Sequence, residues 1–210
     1  GKGDRRRSFN YKMYIDNYDY IGLAGIGKIT SKHVWMRDVG NPAFSLICDT
    51  PNKLPRVKVH GFAIASPELM IRYPWFSIDS AAWVVYGQYG AVIMTKEKNG
   101  KYDYTKPPWL IKTSWRNWHI KKEGTHIDNV PAIVRKKFVA YFEKNGEVLG
   151  KSEFKKVAGD YRIHKNEAWV NKKEGLVEII IEKGVCNYYE ARDNLNLLYF
   201  IELEKNLPEW

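Results

Sequence analysis

Val57-Lys58-Val59-His60-Gly61-Phe62-Ala63-Ile64, followed by Ser66-Pro67-Glu68-Leu69-Met70-Ile71-Arg72 and then Trp75-Phe76-Ser77-Ile78-Asp79-Ser80, is the stretch on which the fold turns. The first segment alternates β-branched and other residues after Leu54-Pro55, which predicts a strand. Ser66-Pro67-Glu68 predicts a helix start: a hydroxyl able to cap free N–H groups, a proline suited to the first helical position, and a carboxylate at the positive end of the helix. The helix is short and ends before Tyr73-Pro74. Trp75 to Ile78 predicts the next strand, with Asp79 and Ser80 at its carboxyl end. Catalytic groups of parallel α/β barrels sit at such strand ends. Asp79 is therefore the candidate for chemistry, although a carboxylate there can equally cap the helix expected from Ala81.

Working outward, Phe9 to Asn17 reads as a short helix. Tyr20 to Leu23 reads as a buried strand, and Gly22-Leu23-Ala24-Gly25 as a strand-to-helix turn in which glycine permits positive φ or a close backbone approach. The turn either faces a ligand or simply reverses the chain; its spacing is not that of a dinucleotide fingerprint. Ser31 to Val39 is the next helix, and Pro42 to Pro55 a proline-punctuated connection. Strand and helix thus alternate from Asp19 to Trp83, which argues for a parallel sheet with crossover helices. A helix over Ala81 to Tyr89 carries Trp83, and Gly90 to Met94 is a further apolar strand.

The chain changes character after Met94. Thr95 to Thr105 is a polar hairpin turning at Asn99-Gly100. Pro107 to Trp118 interleaves Trp109, Trp115 and Trp118 with Lys112 and Arg116, a pattern that either packs this extension or stacks bases and holds phosphates. His119 to Asp128 reads as a loop. Val130 to Asn145 is an amphipathic helix with Ile133, Val134, Phe138, Tyr141 and Phe142 on its apolar stripe and Arg135 to Lys137 on a solvated face. Glu147 to Trp169 is mixed, Leu176 to Glu182 a strand, and Asn194 to Glu204 a second strand. The expected organisation is a basic arm at residues 1–8, barrel-like strands and helices at 9–94, and an α+β extension at 95–210.

Composition narrows the partners. The formal net charge is +10 over 210 residues, with 44% hydrophobic and 14% aromatic residues. Such a chain has enough apolar surface for a core, and the basic balance suggests a polyanionic partner such as nucleic acid. Arg5, Arg6 and Arg7 could touch phosphates or form a solvated terminus. No run approaches the roughly 20 apolar residues of a membrane span, and no amino-terminal signal pattern is present. The two cysteines, Cys48 and Cys186, are far apart and in no metal-like spacing, which points to a reducing, cytoplasmic compartment, buried or inert thiols and no metal site.

Four blocks carry a resemblance: Tyr18 to Gly25, Val57 to Phe62, Ser66 to Leu69 and, most specifically, Arg72 to Trp83. Over roughly residues 9 to 94 the chain resembles the queuine tRNA-ribosyltransferase superfamily, and more closely its phage and bacterial relatives that place 7-deazaguanine bases into DNA. The resemblance implies α/β architecture, the carboxyl-terminal portion of a TIM (β/α)8 barrel, and base exchange without a cofactor. Asp79 would attack C1′ of the target nucleoside, guanine would leave, and a 7-deazaguanine would replace it through a covalent sugar ester. Gly22, Leu23, Ala24 and Gly25 would contact the base, and His60, Gly61, Phe62, Ser80 and Trp83 would line the pocket. The cysteine-rich zinc site of the tRNA-acting members has no counterpart, so DNA is the expected polymer rather than tRNA. A (β/α)8 barrel takes about 200 residues or more, so a second protein chain is expected to complete it unless the sequence is a fragment. The competing expectation is a non-catalytic nucleic-acid-binding or assembly protein built on a barrel remnant.

Overall fold

The computed structural model describes residues 11–25, 31–116 and 125–209. The chain divides into two compact units: one runs to Ala81 and takes in the residues from Asn206 on, the other spans Ala82–Lys205.

The first unit is built on three parallel strands in the order β1 (Tyr20–Leu23), β2 (Lys58–Gly61), β3 (Ser77–Ile78). Residues 11–17 form α1 ahead of β1. Between β1 and β2 the chain forms α2 (Lys32–Trp35), a π-helical turn (Met36–Gly40) and α3 (Asn41–Ile47). Ser31 caps α2 through its hydroxyl, which accepts from Val34 N–H at 3.2 Å. The helix extends past the expected Val39, and Pro42, assigned from sequence to a connection, lies inside it. The π turn is the reason: Asn41 N–H reaches back to Met36 C=O, so the hydrogen-bond register shifts just before the proline that cannot donate. Between β2 and β3 lies α4 (Pro67–Arg72), with Pro67 in its first turn as expected. Ser66 precedes it but caps through its backbone only: its carbonyl accepts from Leu69 and Met70 N–H, and its side chain makes no cap bond.

One side of this sheet is packed. Val59, Leu23 and Ile64 are buried with Trp35, Phe44, Ile47, Leu69 and Tyr73. The aromatic rings interlock: Phe44 stacks on Tyr73 at 4.6 Å, and Trp75 stands edge-on to Phe44 at 4.9 Å. Gly40 is required here, because a Cβ would come within 2.7 Å of both Trp35 Cζ3 and the Tyr73 hydroxyl. β1, expected to be a buried strand, is buried only at Leu23; Tyr20 is exposed. Within the described residues the sheet is open at β1 and β3.

In the second unit, α5 (Ala82–Gln88) and β4 (Ala91–Met94) pack with α7 (Tyr189–Glu204). Buried Asn196 ties them together: it accepts from Ile93 N–H at 2.8 Å and donates to the carbonyls of Trp83 and Ala91. α7 covers the segment Asn194 to Glu204, for which a strand was expected. Ala191, Leu195, Tyr199 and Leu203 recur every four residues and all are buried; this helical stripe was hidden by Leu197, Leu198, Phe200 and Ile201 filling the other faces.

β4 pairs antiparallel with β7 (Trp109–Lys112). The hairpin β5 (Lys96–Lys98) and β6 (Lys101–Asp103) turns at Asn99 and Gly100, with φ of 52° and 76°, as the Asn-Gly pair requires. α6 (Ala132–Lys144) buries Phe138 and Phe142, while Ile133, expected on the stripe, is 70% exposed. The mixed segment resolves into β8 (Lys151–Lys156) and β9 (Glu167–Asn171), which flank β10 (Leu176–Glu182) in an antiparallel sheet.

Lys155, on β8, bonds both Tyr161 (2.6 Å) and Glu167 (2.5 Å). The Lys155 hydrogen bond, helped by His164 N–H and the Tyr161 hydroxyl, pulls the Glu167 carboxyl from its ordinary value near 4.5 to about 2. A depressed carboxyl contributes stability above its unfolded value, and that contribution is lost as pH falls from about 4.5 towards about 2. In urea unfolding, Glu167→Gln is therefore expected to lower the midpoint at pH 7 and to match the wild type near pH 2. An equal deficit at both pH values would refute this role for the charge.

Candidate active site

The parallel register decides which side chains meet. His60 lies opposite Gly22 on one side and opposite Ser77 on the other. Residues two apart on a strand share a face, so Tyr20 and Gly22 on β1, His60 on β2 and Ser77 on β3 lie on one face, opposite to the packed one. They are joined by hydrogen bonds. Tyr20 OH lies 2.7 Å from Ser77 Oγ, and Ser77 Oγ lies 2.8 Å from His60 Nδ1. The other ring nitrogen, His60 Nε2, is 4.0 Å from Asp79 Oδ2. Hydrogen bonds thus link Tyr20, Ser77 and His60, and Asp79 stands 4.0 Å from the far ring nitrogen of His60.

Asp79 follows β3 directly, and its side chain is 60% exposed. Its N–H donates to Gly61 C=O at 3.1 Å, which extends the β2–β3 ladder by one residue. Its Oδ1 accepts from Ala63 N–H at 2.5 Å. Ala63 has φ of 57°, a left-handed conformation that costs a residue with a Cβ energy. The turn at Phe62-Ala63 aims this N–H across the strand ends, while Phe62 N–H donates to Leu23 C=O. Asp79 Oδ1 is held by a backbone donor and Oδ2 faces His60.

Phe62 is exposed and packs against His60, with ring centroids 4.4 Å apart in an edge contact. It also covers Gly22, where a Cβ would lie 2.5 Å from Phe62 Cε2. Gly22 leaves the space that the Phe62 ring fills. Leu23 is buried, Ala24 C=O accepts from Trp35 Nε1 at 3.2 Å, and Gly25 has φ of 104°. Gly61 lies on the packed face, where a Cβ would meet Ile64 and Trp75. Ser80 is adjacent to Asp79 in sequence. A groove of about 350 Å³ beside β1 is lined by tyrosines, including Tyr14, Tyr18 and Tyr20, and by Gly22.

The remaining predicted residues among those described belong to the second unit. Trp83 belongs to the second unit, where its carbonyl is bonded by Asn196. Lys112 is in β7, its backbone bonded to Thr125 and Ile127. Arg116 bonds buried Glu178 at 2.6 Å and Asn187 C=O at 3.2 Å, so its guanidinium is engaged within that unit. Arg5, Arg6 and Arg7 lie outside the described residues.

Sequence reasoning missed Tyr20, Ser77 and Ala63 as members of the site. The β1–β2–β3 register would have put Tyr20 and Ser77 on the His60 face; no sequence signal marks a left-handed alanine.

Among the described residues no group of His, Cys, Asp and Glu is arranged to hold a metal ion, and no helix is long and apolar enough to cross a membrane. Cys186 is buried and Cys48 half-buried, and burial pushes both thiols up from their ordinary range. No family model, curated protein or solved structure matches the chain.

Proposed function

We propose that this chain carries the nucleophile of a guanine transglycosylase that exchanges guanine in DNA for a 7-deazaguanine base. The observation that carries the reading is the placement of Asp79. It is an exposed carboxylate just beyond the carboxyl end of the third of three parallel strands, with one oxygen fixed by Ala63 N–H and the other facing His60. Active sites of parallel α/β barrels occupy this end of the strands. The resemblance over Arg72 to Trp83 adds the reaction class.

In the proposed reaction Asp79 Oδ2 forms a bond to C1′ as the bond from C1′ to guanine N9 breaks. The leaving guanine takes up a proton. A 7-deazaguanine that has given up a proton then displaces the carboxylate from C1′. A carboxylate nucleophile splits one difficult displacement into two easier ones, through oxocarbenium-like transition states. His60, linked to Ser77 and Tyr20, is placed to exchange the proton. Phe62 over Gly22 offers a flat apolar surface beside the nucleophile.

The polar face of the sheet supports a barrel interior. Purely parallel sheets are ordinarily covered on both faces, and here Tyr20 and Phe62 are exposed while the opposite face is packed. Further strands, from this protein or from a second chain, would cover that face and extend the open edges at β1 and β3.

The test incubates the full chain with DNA carrying labelled guanine and a free 7-deazaguanine base. Release of label that depends on the added base, together with a protein–DNA adduct that survives denaturation, is expected. DNA binding with neither release nor adduct would replace this reading by the non-catalytic one.

A further inference from the structure

We propose that the second unit holds a binding groove for single-stranded nucleic acid between the β5–β6 hairpin, β7 and α6. It rests on observations separate from Asp79. The groove has a volume of about 460 Å³ and a floor that includes buried Met94 and Phe138. Two aromatic rings stand exposed at its rim: Trp109 is 47% exposed and Tyr102 is 42% exposed. Trp109 shares the face of β7 that carries buried Ile111, but it lies past the edge of the core rather than within it.

Each ring has a cation over one face, which leaves the other face for stacking. Lys96 Nζ is 5.1 Å from the Trp109 ring centroid, and Lys144 Nζ is 5.5 Å from that of Tyr102. Lys137 lines the groove as well, 3.8 Å from Glu97 Oε2. Residues 96–106 and 132–144 together carry eight lysines and arginines against three carboxylates. These 24 positions therefore supply half of the chain's net charge of +10.

This chemistry selects the occupant. Flat exposed rings give bases a surface to stack on, and lysines at the same rim meet the phosphates between them; together these are the two components of sequence-tolerant single-strand binding. A duplex keeps its base faces stacked internally and could use only the charges. An acidic peptide would also find the charges but would have no use for two planar platforms. Glu97, the carboxylate in the groove, pairs with Lys137, and a phosphate would take its place.

The test measures fluorescence anisotropy of a labelled oligothymidylate with the full chain, at rising salt, with an unlabelled duplex and poly-glutamate as competitors. Binding is expected to weaken with salt and to be displaced poorly by both competitors. Trp109→Ala is expected to weaken it about tenfold, the range of one lost base stack. The double variant Lys137→Gln/Lys144→Gln, at two exposed helix positions, is expected to reduce the salt slope by about 1–2. Displacement by the duplex or by poly-glutamate as effective as by the unlabelled oligonucleotide itself would overturn the proposal. So would wild-type affinity in both variants.

Discussion

Asp79→Asn is expected to abolish guanine exchange, a loss on the order of 10⁴-fold or more if the carboxylate is the nucleophile, while the fold stays intact. The reasoning is geometric. The Asp79 side chain is 60% exposed and is not part of the packed face, so an isosteric change there should move stability by no more than about 0.5 kcal/mol. Asparagine keeps a carbonyl oxygen able to accept from Ala63 N–H, so the left-handed turn that supplies that donor is retained. What disappears is the charged oxygen facing His60 and with it the capacity to form an ester at C1′. The denaturation-resistant DNA adduct must vanish together with the exchange. If exchange survives in Asp79→Asn, the nucleophile lies elsewhere. His60→Gln provides the contrast: the adduct should still form, but more slowly, because the side chain that would carry the proton is lost and the attacking atom is not.

The parts of this site that were legible in the sequence are those with a local signal. Strand β2, helix α4 and strand β3 announce themselves through β-branched alternation, Ser-Pro-Glu and an apolar run ended by a carboxylate. The Asn99-Gly100 hairpin is equally local. What could not be read was register. Tyr20, Gly22, His60 and Ser77 are scattered over 58 positions, and only the pairing of Gly22 with His60 and of His60 with Ser77 brings them to one face. A shift of one residue in either pairing would send alternate side chains to the packed face. Two readings failed for a different reason. The strand expected at Asn194 to Glu204 is helix α7, because apolar residues on several faces obscured the four-residue repeat of Leu195, Tyr199 and Leu203. The helix around Pro42 was missed because a π turn absorbs the missing donor, and propensity alone places a proline outside a helix. The role of Arg116 also depends on tertiary structure: as a cation among tryptophans it suggested phosphate contact, yet its partner is a buried glutamate 62 positions away.

Trp35→Ala is expected to have the largest effect on stability, about 3–5 kcal/mol, the cost of removing a fully buried large aromatic side chain. Trp35 has no exposed surface, and it joins three parts of the first unit. Its indole N–H donates to Ala24 C=O just after β1, and its ring lies 6.0 Å from Tyr73 and 6.2 Å from Trp75. Gly40, in the π turn, leaves room for the same ring. Truncation therefore opens a cavity against two aromatic rings and leaves a carbonyl without its donor. The surrounding rings are too rigid to collapse into the space, which puts the cost at the upper part of the range for large-to-small changes. Urea unfolding is expected to show the midpoint falling by about 1–3 M. Trp35→Phe should recover part of the loss by refilling the cavity while still lacking the donor to Ala24. This pair of variants also tests the link between packing and site. Trp35 anchors the end of β1, and β1 carries Tyr20 and Gly22 into the row with His60. If base exchange is assayed where both variants remain folded, Trp35→Phe should reduce it less than Trp35→Ala. An unchanged midpoint in Trp35→Ala would mean that the sheet holds its register without the aromatic cluster, and that the placement of Tyr20 beside Ser77 has another origin.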